Sequence, residues 1–290
     1  MFLMKKIVLA IMASLFTVIL THLTHNNVAS ASEIEHIEQE NNVTIGVYGM
    51  NTDNGKVYQH NADERFAFAS TYKAIASGIL LNNTPNNKLN KKIKINEQDI
   101  VAYSPVTEKY IGKTMSLKSL VQASMLQSDN TANNKIINEI GGIEGFNKEL
   151  KSLGDYISKP QRLEPDLNDY DPTKIADTTT PKAAATSLNK LLTSKQMDKE
   201  NQALLKQFMI ENETGDSLIK AGVPKHYTVG DKSGQGLTYG TRNDLAFIYT
   251  DKHAKPIILA IYTNQDQKNA KPDDKIIAAA AKEAIKKLKW

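Results

Sequence analysis

The sequence predicts an α+β fold, an α/β sandwich. One antiparallel sheet, flanked by helices and built from both ends of the chain, is interrupted by an inserted all-helical domain. Three observations predict this. Short alternating or β-branched runs lie only towards the two ends of the chain. The long middle shows helical spacing of its apolar residues. An Asn-Gly turn, Asn54-Gly55, joins the first two strand-like runs and makes them an antiparallel hairpin.

Glu33 to Asn41 reads as a short charged helix. Val43 to Tyr48 alternates as a strand and Lys56 to His60 returns as its partner. Helical spacing then holds over Ala74 to Leu81, Leu117 to Leu126, Thr131 to Ile140, Ile143 to Leu153, Pro181 to Leu192 and Lys199 to Met209. Thr180-Pro181 is a helix start, because proline suits the first turn where no backbone donor is needed. Gly154 to Thr180 lacks periodicity and is rich in turn formers; a loop of that length inside a compact domain is usually functional. Strand patterns resume at Tyr227 to Lys232, Leu245 to Tyr249 and Ile257 to Thr263, and Lys275 to Leu288 closes the chain as an alanine-rich amphipathic helix. The expected division is a leader at 1–31, an α/β domain from 32–67 and 211–290, and a helical domain at 68–210, with the functional crevice between the last two.

The chain has 290 residues, 40% of them hydrophobic and 23% charged, ample for a sizeable core. Its formal charge is +4, of which Lys5 and Lys6 belong to the leader, too mild a surplus for a nucleic-acid partner. Lys88, Lys91, Lys92 and Lys94 read as a solvated face. Lys5 and Lys6, the apolar run Ile7 to Leu20 and Ala29-Ser30-Ala31 form the three parts of an export signal with a cleavage site. The run is short for a membrane span, so a secreted protein without stable membrane insertion is expected, acting as a monomer. Cysteine is absent, which excludes disulfides and a lipid-bearing N-terminal cysteine.

Three polar motifs follow one another: Ser70-Thr71-Tyr72-Lys73, Ser128-Asp129-Asn130 and Lys232-Ser233-Gly234. A serine nucleophile needs a base, a proton relay and a cation for an anionic substrate, and these motifs hold all three. Ser-x-x-Lys alone is weak, since it recurs at Ser187/Lys190 and Ser217/Lys220. Ser70 is distinguished by the apolar residues on both sides, which put it at a buried helix N-terminus where backbone N–H groups face an anion. Taken singly, each motif has a plain structural reading: a helix cap, an inter-helix loop, a strand-terminal turn. Their joint occurrence in this order is the signal.

With these motifs the chain resembles the class A serine β-lactamases, most closely their staphylococcal penicillinase branch. The resemblance extends over Val101-Ala102-Tyr103-Ser104-Pro105, Ser128 to Asn134, Glu139 to Ile143 and Asp231 to Gln235. It implies Ser70 as the acylated nucleophile, with its own N–H and that of Gln235 as the oxyanion hole. It implies Lys73 in proton removal, Ser128 in proton delivery to the leaving nitrogen, and Asn130 on the substrate amide. Lys232, Ser233, Gly234 and Arg242 form the carboxylate-binding side, and Tyr103 an apolar wall. Glu164, with Asn168, positions and deprotonates the deacylating water; either Lys73 or Glu164 is the acylation base. Arg162 and Asp177 are the pair that closes the loop carrying Glu164, and the bond from Glu164 to Pro165 is expected to be cis. The implied activity is hydrolysis of penicillins, and of some cephalosporins, with resistance to these antibiotics as its consequence. The chain departs from the family pattern in Ser233 for threonine, which keeps the hydroxyl, and in Gln235 for a small residue. Gly236 beside it leaves room to loosen the strand edge.

Glu164 argues against a penicillin-binding transpeptidase, which acylates and stalls; a non-hydrolytic sensor domain of this fold is usually fused to membrane helices, and the sequence shows no such pattern. A zinc enzyme needs clustered ligands. The six histidines are His22, His25, His36, His60, His226 and His253; the first two lie in the leader and none of the others forms a close pair. No metal and no cofactor are therefore expected, and the partner is a small-molecule β-lactam.

Overall fold

The structure, a computed structural model, describes residues 32–251 and 254–289. The expected leader at 1–31 lies outside the described residues. From Glu33 onward the chain forms one compact unit.

The elements run in the order α1 (Glu33–Asn41), β1 (Thr44–Asn51), β2 (Val57–His60), β3 (Phe66–Ala67), α2 (Tyr72–Asn83), β4 (Lys92–Lys94), β5 (Thr114–Ser116), α3 (Leu117–Leu126), α4 (Asn130–Glu139), α5 (Gly142–Ser152), β6 (Thr178–Thr179), α6 (Pro181–Leu192), α7 (Lys199–Ile210), α8 (Ile219–Gly222), β7 (Thr228–Gln235), β8 (Arg242–Tyr249), β9 (Ile257–Asn264) and α9 (Asp274–Leu288). The main sheet is antiparallel with strand order β2-β1-β9-β8-β7. It thus takes two strands from one end of the chain and three from the other, the α+β arrangement expected from the sequence.

The sheet is covered on both faces, and β9 shows why its sequence is a continuous apolar run. Ile257, Leu259 and Ile261 pack with Ile34 of α1 and with Ile277, Ala281 and Ile285 of α9. Ile258, Ala260 and Tyr262 point the other way, into the core shared with α2, α3 and α6. Strand residues alternate between faces, so a strand buried on both must be apolar throughout. In α9 the buried positions Ile276, Ile277, Ala280, Ala281, Ala284, Ile285 and Leu288 form one stripe. Asp273 caps that helix by accepting from the N–H of Lys275 at 2.9 Å.

The helical part is held by similar caps. Ser116 accepts from the N–H of Ser119, and Thr180 from that of Ala183, so α3 and α6 begin where the sequence places them. Strand β7 runs to Gln235, three residues past the end read from the sequence, because Ser233 to Gln235 pair with Arg242 to Asp244 although none is a strong strand former. Gly236 does not loosen this edge: its N–H bonds the Thr241 carbonyl at 3.1 Å and closes the turn into β8.

Candidate active site

Ser70 lies in a 3-10 turn, Ala69–Thr71, that runs directly into α2. It is not the helix cap: the residue before the helix is Thr71, and neither the turn nor the helix is closed by a side-chain bond. Ala69 is held at a φ of 43°, a left-handed conformation unfavourable for a residue with a Cβ. Tyr103 at 60° and Ser128 at 57° share it. All three stand beside or within the expected site.

Strand β7 closes against this turn. A Cβ on Gly234 would lie 3.1 Å from the Phe68 carbonyl oxygen, 3.1 Å from the Thr71 nitrogen and 3.0 Å from the Thr71 methyl. A side chain there would need the turn to give by a few tenths of an ångström, which glycine avoids. The approach sets the end of β7, with Gln235, next to the Ser70 turn.

Lys73, one helical turn on from Ser70, is the hub. Its Nζ donates to the Ser128 carbonyl at 2.7 Å and to Asn130 Oδ1 at 2.6 Å, and lies 3.3 Å from Ser128 Oγ. Its fourth polar neighbour is Glu164 Oε1 at 3.1 Å, and both side chains are fully shielded from solvent. Burial pushes the lysine below its ordinary range and the Glu164 carboxylate opposes that shift.

Glu164 is delivered by the 154–180 segment. The Glu164–Pro165 bond is cis. Asn134 of α4 grips the glutamate backbone from both sides, Oδ1 accepting from its N–H at 3.0 Å and Nδ2 donating to its carbonyl at 2.9 Å. Asn168 Nδ2 donates to Glu164 Oε2 at 2.5 Å, while the buried Asn168 Oδ1 has no partner. The loop is closed by Arg162 Nε against Asp177 Oδ2 at 2.5 Å, and Asp177 Oδ1 also takes the N–H groups of Gln161 and Arg162. Asp177 Oδ2 and Oδ1 are thus both engaged, and its carbonyl accepts from Phe68 N–H just before Ser70. The pair is structural in the sense expected.

Asn130 Nδ2 donates to the Ala102 carbonyl at 2.8 Å. Its backbone N–H bonds the carbonyl of Tyr103, a residue 63% exposed. Asp129, whose plain reading in the sequence is part of an inter-helix loop, takes four hydrogen bonds, from Ala132 N, Val106 N, Thr107 N and Thr107 Oγ1. It locks the 101–107 loop to the start of α4.

On the opposite side stand Lys232, Ser233 and Arg242. Lys232 is fully buried, and burial together with the Lys73 charge lowers its pKa to about 7, against the pull of Asp231 and Asp244. Arg242 Nε pairs with Asp274 Oδ1 at 2.6 Å, and its Nη1 reaches the Gly234 carbonyl at 3.4 Å. The described residues thus bring Lys73, Ser128, Asn130, Glu164 and Asn168 into one contact network at the helix that follows the Ser70 turn, with the end of β7 packed against that turn and Arg242 on the neighbouring strand. No group of three or more His, Cys, Asp or Glu among the described residues is placed to hold a metal ion.

A family model of the β-lactamase enzyme family matches residues 29–288. The chain belongs to that family. It is 42% identical to a β-lactamase of Bacillus licheniformis over 252 residues, 87% of this chain and 81% of the relative. The β-lactamase ROB-1 of Haemophilus influenzae is 40% identical over 88% of this chain and 83% of its own length. The solved class A β-lactamase of Clostridium kluyveri superposes with a TM-score of 0.85 at 38% identity, covering 87% of this chain and 96% of that one. A halotolerant bacterial β-lactamase gives 0.87 at 36% identity, over 90% and 100%. The chain is accordingly an enzyme of the class A β-lactamase type, a serine hydrolase.

Among the residues of this β-lactamase that sequence reasoning passed over, Asn134 and Asp129 lay inside the quoted Ser128 to Asn134 segment. Their polar character within a helix start was the signal. Thr214 and Asn212 had none: their partners are Ser233 and Asp231, 19 residues away on another element.

Proposed function

We propose that the protein opens the β-lactam ring of penicillins through an acyl-enzyme on Ser70 and releases it by hydrolysis. The observation that carries this is the buried Lys73–Glu164 pair, set between the Ser70 turn, Ser128 and the Asn168 amide. A resting ammonium that donates to Ser128 O, Ser128 Oγ and Asn130 has no lone pair, whereas Glu164 Oε1, 3.1 Å away, carries no hydrogen bond, so this arrangement supports Glu164 as the base at rest. A proton passed to Glu164 along the 3.1 Å contact would leave Lys73 a neutral amine facing Ser70.

Ser70 Oγ attacks the lactam carbonyl and loses its proton to this pair. The carbonyl oxygen becomes an oxyanion beside the N–H groups of Ser70 and Gln235, which stabilise it. The C–N bond breaks, and the nitrogen takes a proton from Ser128 Oγ, resupplied by Lys73 at 3.3 Å. Glu164 then takes a proton from water, the hydroxide attacks the ester carbonyl, and the bond to Ser70 Oγ breaks as that oxygen takes the proton back from the Lys73–Glu164 pair, which restores the enzyme. Asn168 Oδ1, buried and unpartnered, is a ready acceptor for that water's other hydrogen. Lys232, Ser233 and Arg242 meet the carboxylate on the second ring, Asn130 the side-chain amide, and Tyr103 forms the wall.

The leader pattern supports export. No helix among the described residues is long and apolar enough to cross a membrane. Resistance to penicillins is the biological outcome of such an exported hydrolase.

Ser70→Ala tests the proposal. Intact-mass spectrometry after incubation with benzylpenicillin should show an acyl adduct on the parent trapped early and none on the variant, with turnover abolished and folding retained. An adduct persisting on the variant would place the nucleophile elsewhere.

A further inference from the structure

Beside the carboxylate-binding side runs a hydrogen-bonded chain that the mechanism above does not use. Gly215, whose Cβ would collide with Asp231 at 1.8 Å, lets the segment after α7 lie directly on β7. There Asn212 Oδ1 accepts from the Thr214 N–H at 3.1 Å, and its Nδ2 donates to Asp231. A backbone N–H can only donate, so the Asn212 amide has one possible orientation. Asp231 is held in turn by Lys220, with Nζ 3.0 Å from Oδ1.

The orientation decides where two hydroxyl hydrogens go. Thr214 Oγ1 lies 2.7 Å from Asn212 Oδ1, which has no hydrogen, so Thr214 donates there. Its only hydrogen is then committed. The same oxygen lies 2.6 Å from Ser233 Oγ, so in that bond Ser233 is the donor. Ser233, the hydroxyl assigned to the substrate carboxylate, therefore points its hydrogen at Thr214 and turns lone pairs toward an anion.

We propose that Thr214 is a specificity-determining positioning residue: it competes with the substrate carboxylate for the Ser233 hydrogen. This rests on the reading that Ser233 meets that carboxylate. A bound carboxylate gains Ser233 as a donor only by taking its hydrogen from Thr214, whose acceptor is then left without it. Thr214 thereby weakens binding of anionic β-lactams without touching the reacting atoms.

The test is a set of KM and kcat values for benzylpenicillin and for its methyl ester, which lacks the charge. Thr214→Val removes the competing acceptor with little change of shape. It should lower KM for the acid roughly 3- to 10-fold, the worth of one hydrogen bond regained, with kcat nearly unchanged and the ester unaffected. Thr214→Ser keeps the hydroxyl and should restore the parent's KM. Should valine disturb folding, as read by thermal melting, Thr214→Ala makes the same measurement. An unchanged or raised KM for the acid, or an equal shift for the ester, overturns the proposal. A parent that turns over neither compound would instead overturn the assignment of β-lactams as substrates.

Discussion

Lys73 Nζ and Glu164 Oε1 face each other at 3.1 Å with both side chains fully out of solvent. The contact joins an α2 residue to a loop residue 91 positions later in the sequence, and the loop is held in place for it by Asn134, Asn168 and the Arg162–Asp177 pair. Breaking a buried pair by removing one partner leaves the other charge uncompensated. Glu164 therefore matters both for the proton it takes and for the ammonium it balances.

Glu164→Ala should separate the two halves of the reaction. Acylation of Ser70 continues, slowed, while deacylation falls by roughly 10²–10⁴ if general-base help is lost. With a chromogenic cephalosporin the variant should release one equivalent and then stop, and its mass should show the retained acyl group. Turnover at the parent's steady rate would mean that another group activates the water.

The loop clamp gives a second expectation. Asn134→Ala removes both bonds to the Glu164 backbone, at 3.0 and 2.9 Å, without touching the carboxylate. Deacylation should slow more than acylation, because only the second step needs Glu164 and Asn168 placed together. Single-turnover rates for the two steps would show it; equal losses in both would mean that Asn134 supports the fold of the site generally.

Much of this was legible in the sequence, for physical reasons that can be named. Leu117–Leu126 and Pro181–Leu192 were placed to the residue because an apolar stripe and a Ser or Thr cap begin together. The site motifs were legible because nucleophile, relay and cation are each short and local. Strand β7 was read three residues short, since Ser233, Gly234 and Gln235 are poor strand formers that pairing with β8 recruits. The two-residue strands β3 and β6 left no trace, as their pairing joins Phe66 to Thr179 across more than a hundred residues. The Asn212–Thr214–Ser233 chain was hidden likewise: no period or composition marks a polar residue whose partner is distant.

Lys232 predicts a pH dependence. Its pKa lies at about 7 in the free enzyme, lowered by burial and by Lys73. A substrate carboxylate favours the ammonium and raises that pKa in the complex. Affinity for anionic β-lactams is then greatest below pH 7 and falls as pH rises through it, about tenfold per unit until the pKa of the complex is reached. The profile of kcat/KM for benzylpenicillin should show this limb near 7, whereas the penicillin methyl ester should not. A limb of the same position for both compounds would assign it to Lys73 or Glu164.

Arg242 should act on the same charge by a different route. Its Nε is fixed by Asp274, whose pKa burial would raise but which Arg242 and Ser217 bring below the usual carboxylate range. The guanidinium is thereby anchored with its far edge beside the Gly234 carbonyl. Arg242→Ser should lower kcat/KM for benzylpenicillin by about 10- to 100-fold, the worth of one charge-assisted hydrogen bond, and spare the methyl ester. An unchanged value for the acid would make Arg242 a structural residue only.

The last prediction concerns stability. Asp244 on β8 is buried beside Asp231, accepts from the Ile219 N–H at 3.0 Å, and has a second oxygen without a partner. Burial and the Asp231 charge push its pKa well above the carboxylate range. Asp231 is also pushed up by burial, but Lys220 and Asn212 stabilise its charged form, so of the two carboxyls Asp244 is the one burial drives towards the neutral acid. The sign follows from linkage. A carboxyl whose pKa is higher folded than unfolded binds more protons in the folded state, so stability is greatest below the unfolded value of ~3.9 and declines as pH rises above it. Asp244→Asn removes that decline, because the amide still accepts from Ile219 through oxygen and carries no charge at any pH. The variant should melt higher than the parent at pH 7, by about 2–4 °C for each ~1 kcal/mol recovered, and the two curves should converge as pH approaches ~4. Thermal melts across that range measure both. A variant less stable than the parent at pH 7 would show that Asp244 is held ionised and that its charge supports the fold.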